Sequence, residues 1–497
     1  MSPDKPNIVV VIVDCARVVD FPPASKRPET TPYLTDLEKE SVTFVNAFST
    51  SNWTLPAHAS ILTGLYPWQH GVHGKAQTSL RAHRTVFDEL RSLGYRAALL
   101  SANPHIDEGS GMTAGADFAC HGTWPELYLR SRSLSRFFRL PATESGSRTD
   151  QPDEMYSILD GFLRRHGGRF TAMFPRCWDG ALRVLSKVSR ENFELSSEVS
   201  PWIEDTLSSW IARQADGDPI IAFVNLMDCH EPYLLRSPKK SSLRDWWELG
   251  RANQDHVSWL VEGWSPGPDD VQRLHALYLG SLAHVDQRIR RITQILEKHN
   301  RWENTLFIVT GDHGQQLGED GVLFHGFRDS ESLTRVPLIV RLPGRRLRGR
   351  VVQNSASIID IYPTALELAG GESNRSLPGV SLIELVSRAR DSPVFSLSDG
   401  VPWNRWPYLN PDRKEYLDQF SISCHARHGR FTKNIKTGKM QVHPTGSELG
   451  ALRIGDNPIE VGAETLSMMD TICSQLRTIQ RGPNQAEPAD HLSGWGY

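Results

Sequence analysis

Two stretches of the sequence combine residues that can perform hydrolytic chemistry. Residues 54–64 have the pattern of a short capped helix, with the hydroxyl of Thr54 at its N-terminal end. A helix N-terminus attracts tetrahedral anions, because its backbone N–H groups and the positive end of its dipole face outward. The second stretch, 308–314, is an apolar strand that runs directly into Asp312 and His313. Adjacent Asp and His side chains at a strand end can bind one cation, and a metal ion lowers the pKa of a hydroxyl bound to it.

Polar residues also follow other predicted strands, which cover residues 7–13, 95–100 and 219–226. The residues at these strand ends are Asp14, Asn103, His105, Asp228 and His230. A glycine-containing loop, 317–327, adds His325. Open α/β sheets bind ligands at the carboxyl ends of their strands, so we expect these side chains to meet at one edge of a sheet.

Strands alternate with helices along the first four fifths of the chain. This alternation predicts an α/β fold with a large, mostly parallel mixed sheet flanked by helices. We expect a catalytic domain at 1–390 with a mostly helical insertion at 107–215 that caps the site. Residues 240–270 are predicted to be irregular, and 391–497 to form a small C-terminal α+β subdomain and a tail.

The composition is that of an ordinary globular protein, with 39% hydrophobic and 23% charged residues among 497. A formal net charge of -3 gives no support for a nucleic-acid partner. The six cysteines show no C-x-x-C spacing, which argues against a zinc ribbon or a disulfide framework and suits a reducing compartment. The apolar run at 8–13 is too short for a membrane span and lacks a signal-peptide cleavage site. We therefore expect a cytoplasmic protein with no membrane span.

Carboxylates, imidazole and a hydroxyl together form a metal site that suits Mg²⁺, Mn²⁺, Ca²⁺ or Zn²⁺. Such a site favours attack on the phosphorus or sulfur of a small anionic ester, and in-line displacement by Thr54 would give a covalent enzyme ester. Hydrolysis of that ester needs a general acid or base. The candidates are His58, His105, His230 and His325, of which we favour the last two. His58 could instead cap its helix, and His105 could be an ordinary loop residue.

Several of these stretches resemble the sulfatases of the alkaline phosphatase superfamily. The segment from Thr54 is similar to the sulfatase signature Cys/Ser-x-Pro-Ser-Arg-x-x-Leu-Leu-Thr-Gly. The other similar stretches are 6–14, 31–34, 42–49, 311–314, 335–340, 360–364 and 377–382. The resemblance covers roughly 6–105, 220–235 and 270–385, and it implies the fold together with a metal site. The ligands it implies are Asp14, Thr54, Asp312 and His313.

The chain departs from the sulfatases at residues that bear on function. Thr54 stands where sulfatases have the Cys or Ser that becomes formylglycine, and Thr cannot be converted to that aldehyde hydrate. His58 replaces an Arg, Cys15 replaces a second Asp, and His325 stands in the region of an active-site Lys. The Lys-x-His of the family corresponds to the stretch from Asn103 to His105. A Thr nucleophile resembles the phosphodiesterase, nucleotide pyrophosphatase and phosphoglycerol or phosphoethanolamine transferase branches of the superfamily.

The sequence therefore predicts a metal-dependent hydrolase of phosphate mono- or diesters that acts through Thr54, with His230 and His325 as catalytic groups. The expected substrate-binding residues are His58, Asn103, His105 and Asp228. We expect one bound metal ion in preference to two. If a second ion were bound, its ligands would be Asp228, His230 and His325. Three alternatives stay open: a sulfatase that works without formylglycine, a phospho-group transferase, and a non-catalytic relative that binds an anion.

Overall fold

The structure, a computed structural model, describes residues 5–73, 79–80, 83–122, 202–231, 233, 259, 263–372, 377–398, 410–413, 419–426, 429–444 and 463–480. Most of the predicted cap, at 123–201, lies outside these residues. The same holds for most of the predicted irregular stretch at 240–270 and for the predicted tail after residue 480.

Strands and helices alternate through most of the described chain, as predicted. The strands are β1 (Asn7–Val13), β2 (Val42–Phe44), β3 (Ala47–Phe48), β4 (Arg96–Ser101), β5 (Phe118–His121), β6 (Ile220–Leu226), β7 (Thr305–Gly311), β8 (Gln316–Leu317), β9 (Leu323–Phe324), β10 (Arg335–Val336), β11 (Leu338–Arg341), β12 (Arg350–Val352), β13 (Ala356–Ser357), β14 (Val394–Ser398), β15 (Ser421–Ala426), β16 (Gly429–Asn434) and β17 (Met440–Pro444). The helices are α1 (Pro32–Lys39), α2 (Thr54–Thr63), α3 (Pro67–His70), α4 (Val86–Ser92), α5 (Trp202–Ile211), α6 (Pro268–Lys298), α7 (Glu331–Thr334), α8 (Ile361–Leu368), α9 (Leu382–Leu385) and α10 (Ala463–Gln480).

Eight strands form the main sheet, in the order β12-β2-β11-β7-β1-β6-β4-β5. β1 runs parallel to β6 and β7, whereas β11 is antiparallel to both of its neighbours. This arrangement confirms the predicted α/β fold with a large, mostly parallel mixed sheet. None of the helices in the described part of the chain is both long and apolar enough to cross a bilayer.

β1 lies at the centre of the sheet and is buried along its whole length. Val9 and Val11 pack in a hydrophobic core with residues of α6, while Ile8 and Val10 pack in a second core with residues of α2 and α8. Because both faces are covered by helices, every position of the strand can be apolar, which explains the continuous β-branched run.

α2 is buried along its whole length, which fits its apolar composition on all sides. It begins at Thr54 after Trp53, which occupies the N-cap with an extended backbone. It ends at Gly64, whose φ of 69° lies in the left-handed region. A Cβ atom added at Gly64 would lie 3.0 Å from the ring of Tyr362, so the end of the helix requires glycine for both conformation and space.

The register of the central strands aligns their carboxyl ends at the same edge of the sheet. Val13 at the end of β1 is paired with Leu226 of β6 and with Gly311 of β7. The residues that follow these strands, Asp14 and Asp312 among them, therefore leave the sheet side by side. This is the structural basis of the site.

The C-terminal part is a four-stranded antiparallel sheet, β14-β15-β16-β17, which packs with α10. It confirms the predicted small C-terminal α+β unit. Asp329, four residues after His325, connects the site to this sheet. One of its carboxylate oxygens accepts from Ser423 Oγ at 2.6 Å, and the other lies 3.0 Å from Arg430 Nη1. The domain boundaries at 390 and 391 stay predictions.

The structure differs from the prediction at the start of the insertion. Residues 118–121 form the edge strand β5, which pairs with β4, so the main sheet extends into the stretch predicted as an insertion from 107. The apolar part of Phe-Ala-Cys-His is only three residues long, which is too short to be a strand signal, so this strand was not predicted. The neighbouring segment 42–48 forms two short strands, β2 and β3, which belong to different sheets.

Candidate active site

Thr54 presents its hydroxyl to the ends of β1 and β7. Its Oγ1 atom lies 3.2 Å from Nε2 of His313 and donates to Oδ2 of Asp14 at 3.5 Å. Since Trp53 is the N-cap, the Thr54 hydroxyl does not cap the helix and is directed toward the acidic groups instead. The predicted meeting of Thr54, Asp14 and His313 is therefore present in the structure.

Asp14 and Asp312 are fully buried side by side. Nε2 of His313 lies 3.5 Å from Oδ1 of Asp14 and 3.5 Å from Oδ2 of Asp312. Burial and the charge of Asp14 raise the pKa of Asp312 well above its usual value. Burial also opposes ionisation of Asp14, but His230, His313 and a hydrogen bond from Asn103 outweigh it, so the pKa of Asp14 is lowered.

Two observations indicate that this group of side chains could bind a divalent cation. Oδ2 of Asp312 is buried and has no hydrogen-bond partner among the described residues. Nδ1 of His313 donates to the carbonyl oxygen of Gly314 at 2.9 Å, because a carbonyl can only accept, and this leaves the Nε2 lone pair directed toward the carboxylates. Asp14, Asp312, His313 and the Thr54 hydroxyl could therefore hold one ion that offsets the buried negative charge.

Asn103 orients one of these carboxylates. Its Nδ2 atom donates to Oδ2 of Asp14 at 2.9 Å, while its Oδ1 atom accepts from the backbone N–H of His105 at 2.9 Å. Loss of hydration lowers the pKa of His105 to about 4, so its ring is neutral near pH 7. Substrate contact by Asn103 and His105 stays a prediction.

His58 is held as a neutral ring beside Thr54. Its Nδ1 atom lies 3.1 Å from the carbonyl oxygen of Thr54, so Nδ1 donates and Nε2 accepts from Nδ2 of Asn225 at 3.3 Å. Burial lowers the pKa of His58 to about 4. His58 therefore does not supply the positive charge of the Arg that sulfatases have at this position. Asn225 was not predicted from the sequence; the one signal is a polar residue inside an otherwise apolar strand.

The two histidines predicted as catalytic lie together beside the cation ligands. The ring of His325 stacks on His313 with centroids 4.5 Å apart, and the ring of His230 meets His325 edge-on at 4.9 Å. Gln315 connects this group to Glu231: its Oε1 lies 2.8 Å from Nδ1 of His325, and its Nε2 donates to Oε2 of Glu231 at 2.6 Å. Gln315 and Glu231 were not predicted.

Cys15 completes a second group of residues that could ligate a metal, together with His230, Glu231 and His325. One donor atom from each lies within 4.8 Å of the others. Gln315 is hydrogen-bonded to two members of this group, so a direct hydrogen-bond network already connects them.

Asp228 lies at the end of β6 in a buried ion pair. Its Oδ2 atom accepts from Nη1 of Arg288 at 2.8 Å, and Arg288 also binds both carboxylate oxygens of Glu204, at 2.9 and 3.0 Å. The ion pair ties the end of β6 to α5 and α6. Asp228 as a substrate-binding residue or second-metal ligand stays a prediction.

Comparison with known proteins agrees with this fold. The family model described as Sulfatase matches residues 6–371. The multifunctional alkaline phosphatase superfamily protein PehA of Trinickia caryophylli is 26% identical over 429 residues, which cover 78% of this chain and 78% of that protein. An arylsulfatase of Clostridium perfringens (strain 13 / Type A) is 23% identical over 405 residues, which cover 77% of this chain and 78% of the relative.

Solved structures share the fold. A phosphonate monoester hydrolase from Silicibacter pomeroyi superposes with a TM-score of 0.61 at 19% identity, covering 97% of this chain and 96% of the other. The phosphonate monoester hydrolase of Agrobacterium radiobacter gives a TM-score of 0.60 at 17% identity, with 96% of each chain covered. The chain therefore belongs to the sulfatase family of the alkaline phosphatase superfamily.

Proposed function

We propose that this protein is a metal-dependent hydrolase of phosphate mono- or diesters that acts through a covalent Thr54 intermediate. One observation carries the proposal. Oγ1 of Thr54 lies 3.2 Å from Nε2 of His313 and 3.5 Å from Oδ2 of Asp14, among the residues that fit a divalent cation. A hydroxyl in that position is a suitable nucleophile for a tetrahedral anionic centre.

The reaction would proceed in two displacements. In the first, the Thr54 hydroxyl gives its proton to solvent and Oγ1 forms a bond to phosphorus. The bond from phosphorus to the leaving oxygen breaks, and that oxygen departs with the electron pair. In the second, water attacks the phosphorus, the bond to Thr54 breaks, and phosphate or its monoester is released. A divalent ion on Asp14, Asp312 and His313 would neutralise substrate charge and lower the pKa of the hydroxyl when bound.

The proposal of a phosphorus ester rests on the nucleophile. Thr54 cannot become formylglycine, whereas a threonine hydroxyl can form a phosphate ester directly. The relatives and structural neighbours include an arylsulfatase and two phosphonate monoester hydrolases. Sulfate-ester hydrolysis through Thr54 is therefore the second candidate, favoured by the arylsulfatase relative.

The test is turnover of matched 4-nitrophenyl phosphate, phosphate diester, phosphonate and sulfate esters by protein that is chelated and then refilled with Mn²⁺, Zn²⁺, Mg²⁺ or Ca²⁺. We expect a metal-restored activity that is highest on a phosphorus ester and falls by more than about a thousandfold in Thr54→Ala. Quenched enzyme should carry phosphate on Thr54.

Thr63→Ala is the matched control, because Thr63 lies at the opposite end of α2 and its hydroxyl bonds to the carbonyl oxygen of Ala59. It should retain turnover. Full turnover in Thr54→Ala would refute the covalent mechanism. Activity confined to the sulfate ester would favour the second candidate, and product diverted to added alcohols would indicate a transferase. Ligand binding without turnover under every metal would indicate a non-catalytic relative.

A further inference from the structure

We propose that Glu231 and Gln315 form a relay that holds His325 with its proton on Nδ1, so that Nε2 of His325 accepts the proton of the water that hydrolyses the Thr54 ester. The inference rests on the proposed function and deepens it. It assigns Gln315 and Glu231 as positioning residues and gives His325 a defined role. All three side chains are buried, with exposed fractions of 0% for Gln315 and 6% for Glu231 and His325.

The first step is the orientation of the Gln315 amide. One end of the amide lies 2.6 Å from Oε2 of Glu231. An ionised carboxylate can only accept, so this end must be the NH₂ group. The same NH₂ group donates to the hydroxyl of Tyr233 at 3.2 Å. The opposite orientation would place two oxygen atoms 2.6 Å apart in a buried site.

The second step is the tautomer of His325. With its NH₂ group on Glu231, Gln315 turns its Oε1 atom toward Nδ1 of His325 at 2.8 Å. An amide oxygen can only accept, so Nδ1 must carry the proton. In a neutral imidazole the other nitrogen is then an acceptor. Nε2 of neutral His325 can therefore take a proton but cannot donate one.

The third step is the location of the ring. His325 stacks on His313 at 4.5 Å between ring centroids, and Nε2 of His313 is the atom next to the Thr54 hydroxyl. His325 thus lies beside the position where phosphorus would be attached. A neutral acceptor at that place suits the second displacement, in which water loses a proton, and it does not suit protonation of the first leaving group.

The proton balance of the second displacement follows. The water oxygen forms its bond to phosphorus as its proton moves to Nε2 of His325. The bond between phosphorus and Oγ1 of Thr54 breaks, and the electron pair stays on Oγ1. The imidazolium retains its Nδ1 bond to Gln315 and later returns one proton to Oγ1 or to solvent. Glu231, on the far side of Gln315, stabilises the positive ring.

The experiment compares Gln315→Leu, Glu231→Gln and the exchanged pair Glu231→Gln with Gln315→Glu. In the exchanged pair the carboxylate at 315 accepts from Nδ1 of His325 and from the amide at 231, so the tautomer is preserved. We expect each single variant to slow hydrolysis of the Thr54 ester by on the order of 10- to 100-fold and to accumulate phosphorylated enzyme in rapid-quench experiments. The exchanged pair should recover most of the lost rate. Gln316→Leu, a change at the adjacent buried glutamine, should behave as wild type.

A second measurement does not depend on activity. Nitrogen-15 chemical shifts of His325, assigned with a His325→Gln variant, report which ring nitrogen is protonated. We expect Nδ1–H in wild type and in the exchanged pair, and a mixture of tautomers in Gln315→Leu. Nε2–H in wild type, or single variants that slow formation rather than hydrolysis of the phosphorylated enzyme, would overturn the relay. Absence of any phosphorylated enzyme would instead refute the proposed function, and the tautomer would still test the relay.

Discussion

Oδ2 of Asp312 lies 3.5 Å from Nε2 of His313 and is fully buried, yet it has no hydrogen-bond partner among the described residues. Burial and the neighbouring charge of Asp14 raise the pKa of Asp312. The buried pair of carboxylates therefore lowers the stability of the folded protein, and we expect a bound cation to offset this cost.

Asp312→Asn should change stability in opposite directions with and without metal. In chelated protein the variant should be more stable than wild type, by on the order of 1 to 3 kcal/mol, because asparagine avoids the cost of either ionising Asp312 beside Asp14 or protonating it on folding. In excess Mn²⁺ the variant should be the less stable protein, because it loses a ligand. Urea unfolding under the two conditions measures both, and Asp36→Asn on the exposed face of α1 is the control. The same order of stability under both conditions would argue against a cation at this position.

Arg288→Met should destabilise the protein strongly. Arg288 is fully buried between Asp228 and Glu204, and its loss would remove the buried guanidinium that both carboxylates bind. We expect a loss of about 3 to 5 kcal/mol in the free energy of unfolding, mostly from Asp228, because Glu204 keeps its contact with Arg291. Arg291→Met is the matched control, since its contact with Glu204, at 3.3 Å, is made by a side chain that is 38% exposed, and it should cost less than about 1 kcal/mol. Equal effects of the two changes would contradict the structural role of Arg288.

His70 should make the protein sensitive to acid. Nδ1 of His70 accepts from the backbone N–H of Val72 at 3.0 Å, so Nε2 donates to Oγ of Ser60, also at 3.0 Å. Burial, with the charges of His83 and His73, lowers the pKa of His70 from 6.5 to about 3. Because the folded state binds the proton less tightly than the unfolded state, this contribution to stability is complete above pH 6.5 and is lost as the pH falls toward 3.

The measurement for His70 is urea unfolding at several pH values below 6.5 in wild type and in His70→Asn. Asparagine keeps an acceptor for Val72 but does not titrate. The stability of the variant should fall less steeply with decreasing pH, by up to about 1.4 kcal/mol per pH unit. Parallel curves would show that His70 does not contribute to acid unfolding.

Asp329→Asn should lower activity through the loop that carries His325. Asp329 is buried, and although burial opposes its ionisation, Arg430, Ser423 and Thr432 outweigh this and lower its pKa. The variant weakens these bonds and should loosen the loop, so we expect kcat to fall by about tenfold with retained metal content. Steady-state kinetics and metal analysis measure the two effects. An unchanged kcat would show that the loop does not need this support.

The fold and the meeting of Asp14 with Asp312 could be predicted because local patterns determine them. The apolar runs of β1, β6 and β7 are buried on both faces, and their aligned ends place Asp14 beside Asp312. α6 likewise has an apolar periodicity over many turns, which is a direct sequence signal for a long helix.

The hydrogen-bond partners around the site could not be predicted, because they are distant in sequence and ordinary in type. Gln315 meets Glu231 across 84 positions, and Arg288 meets Asp228 across 60. A glutamine after Asp-His-Gly, or an arginine on a long amphipathic helix, is equally typical of exposed surface. Only the packing of α6 and of the loops after β6 and β7 brings these residues together.

The contact between Asp329 and the C-terminal sheet has a consequence for the order in which the protein becomes competent during synthesis. Ser423, Arg430 and Thr432 are translated about a hundred residues after His325. A ribosome-bound chain in which β1, β6 and β7 have already folded would contain the residues proposed to bind the cation. It would lack the C-terminal sheet that binds Asp329 in the loop that carries His325. The protein would reach full activity only near the end of translation. A truncated product would therefore bind metal but turn over substrate more slowly than the full chain.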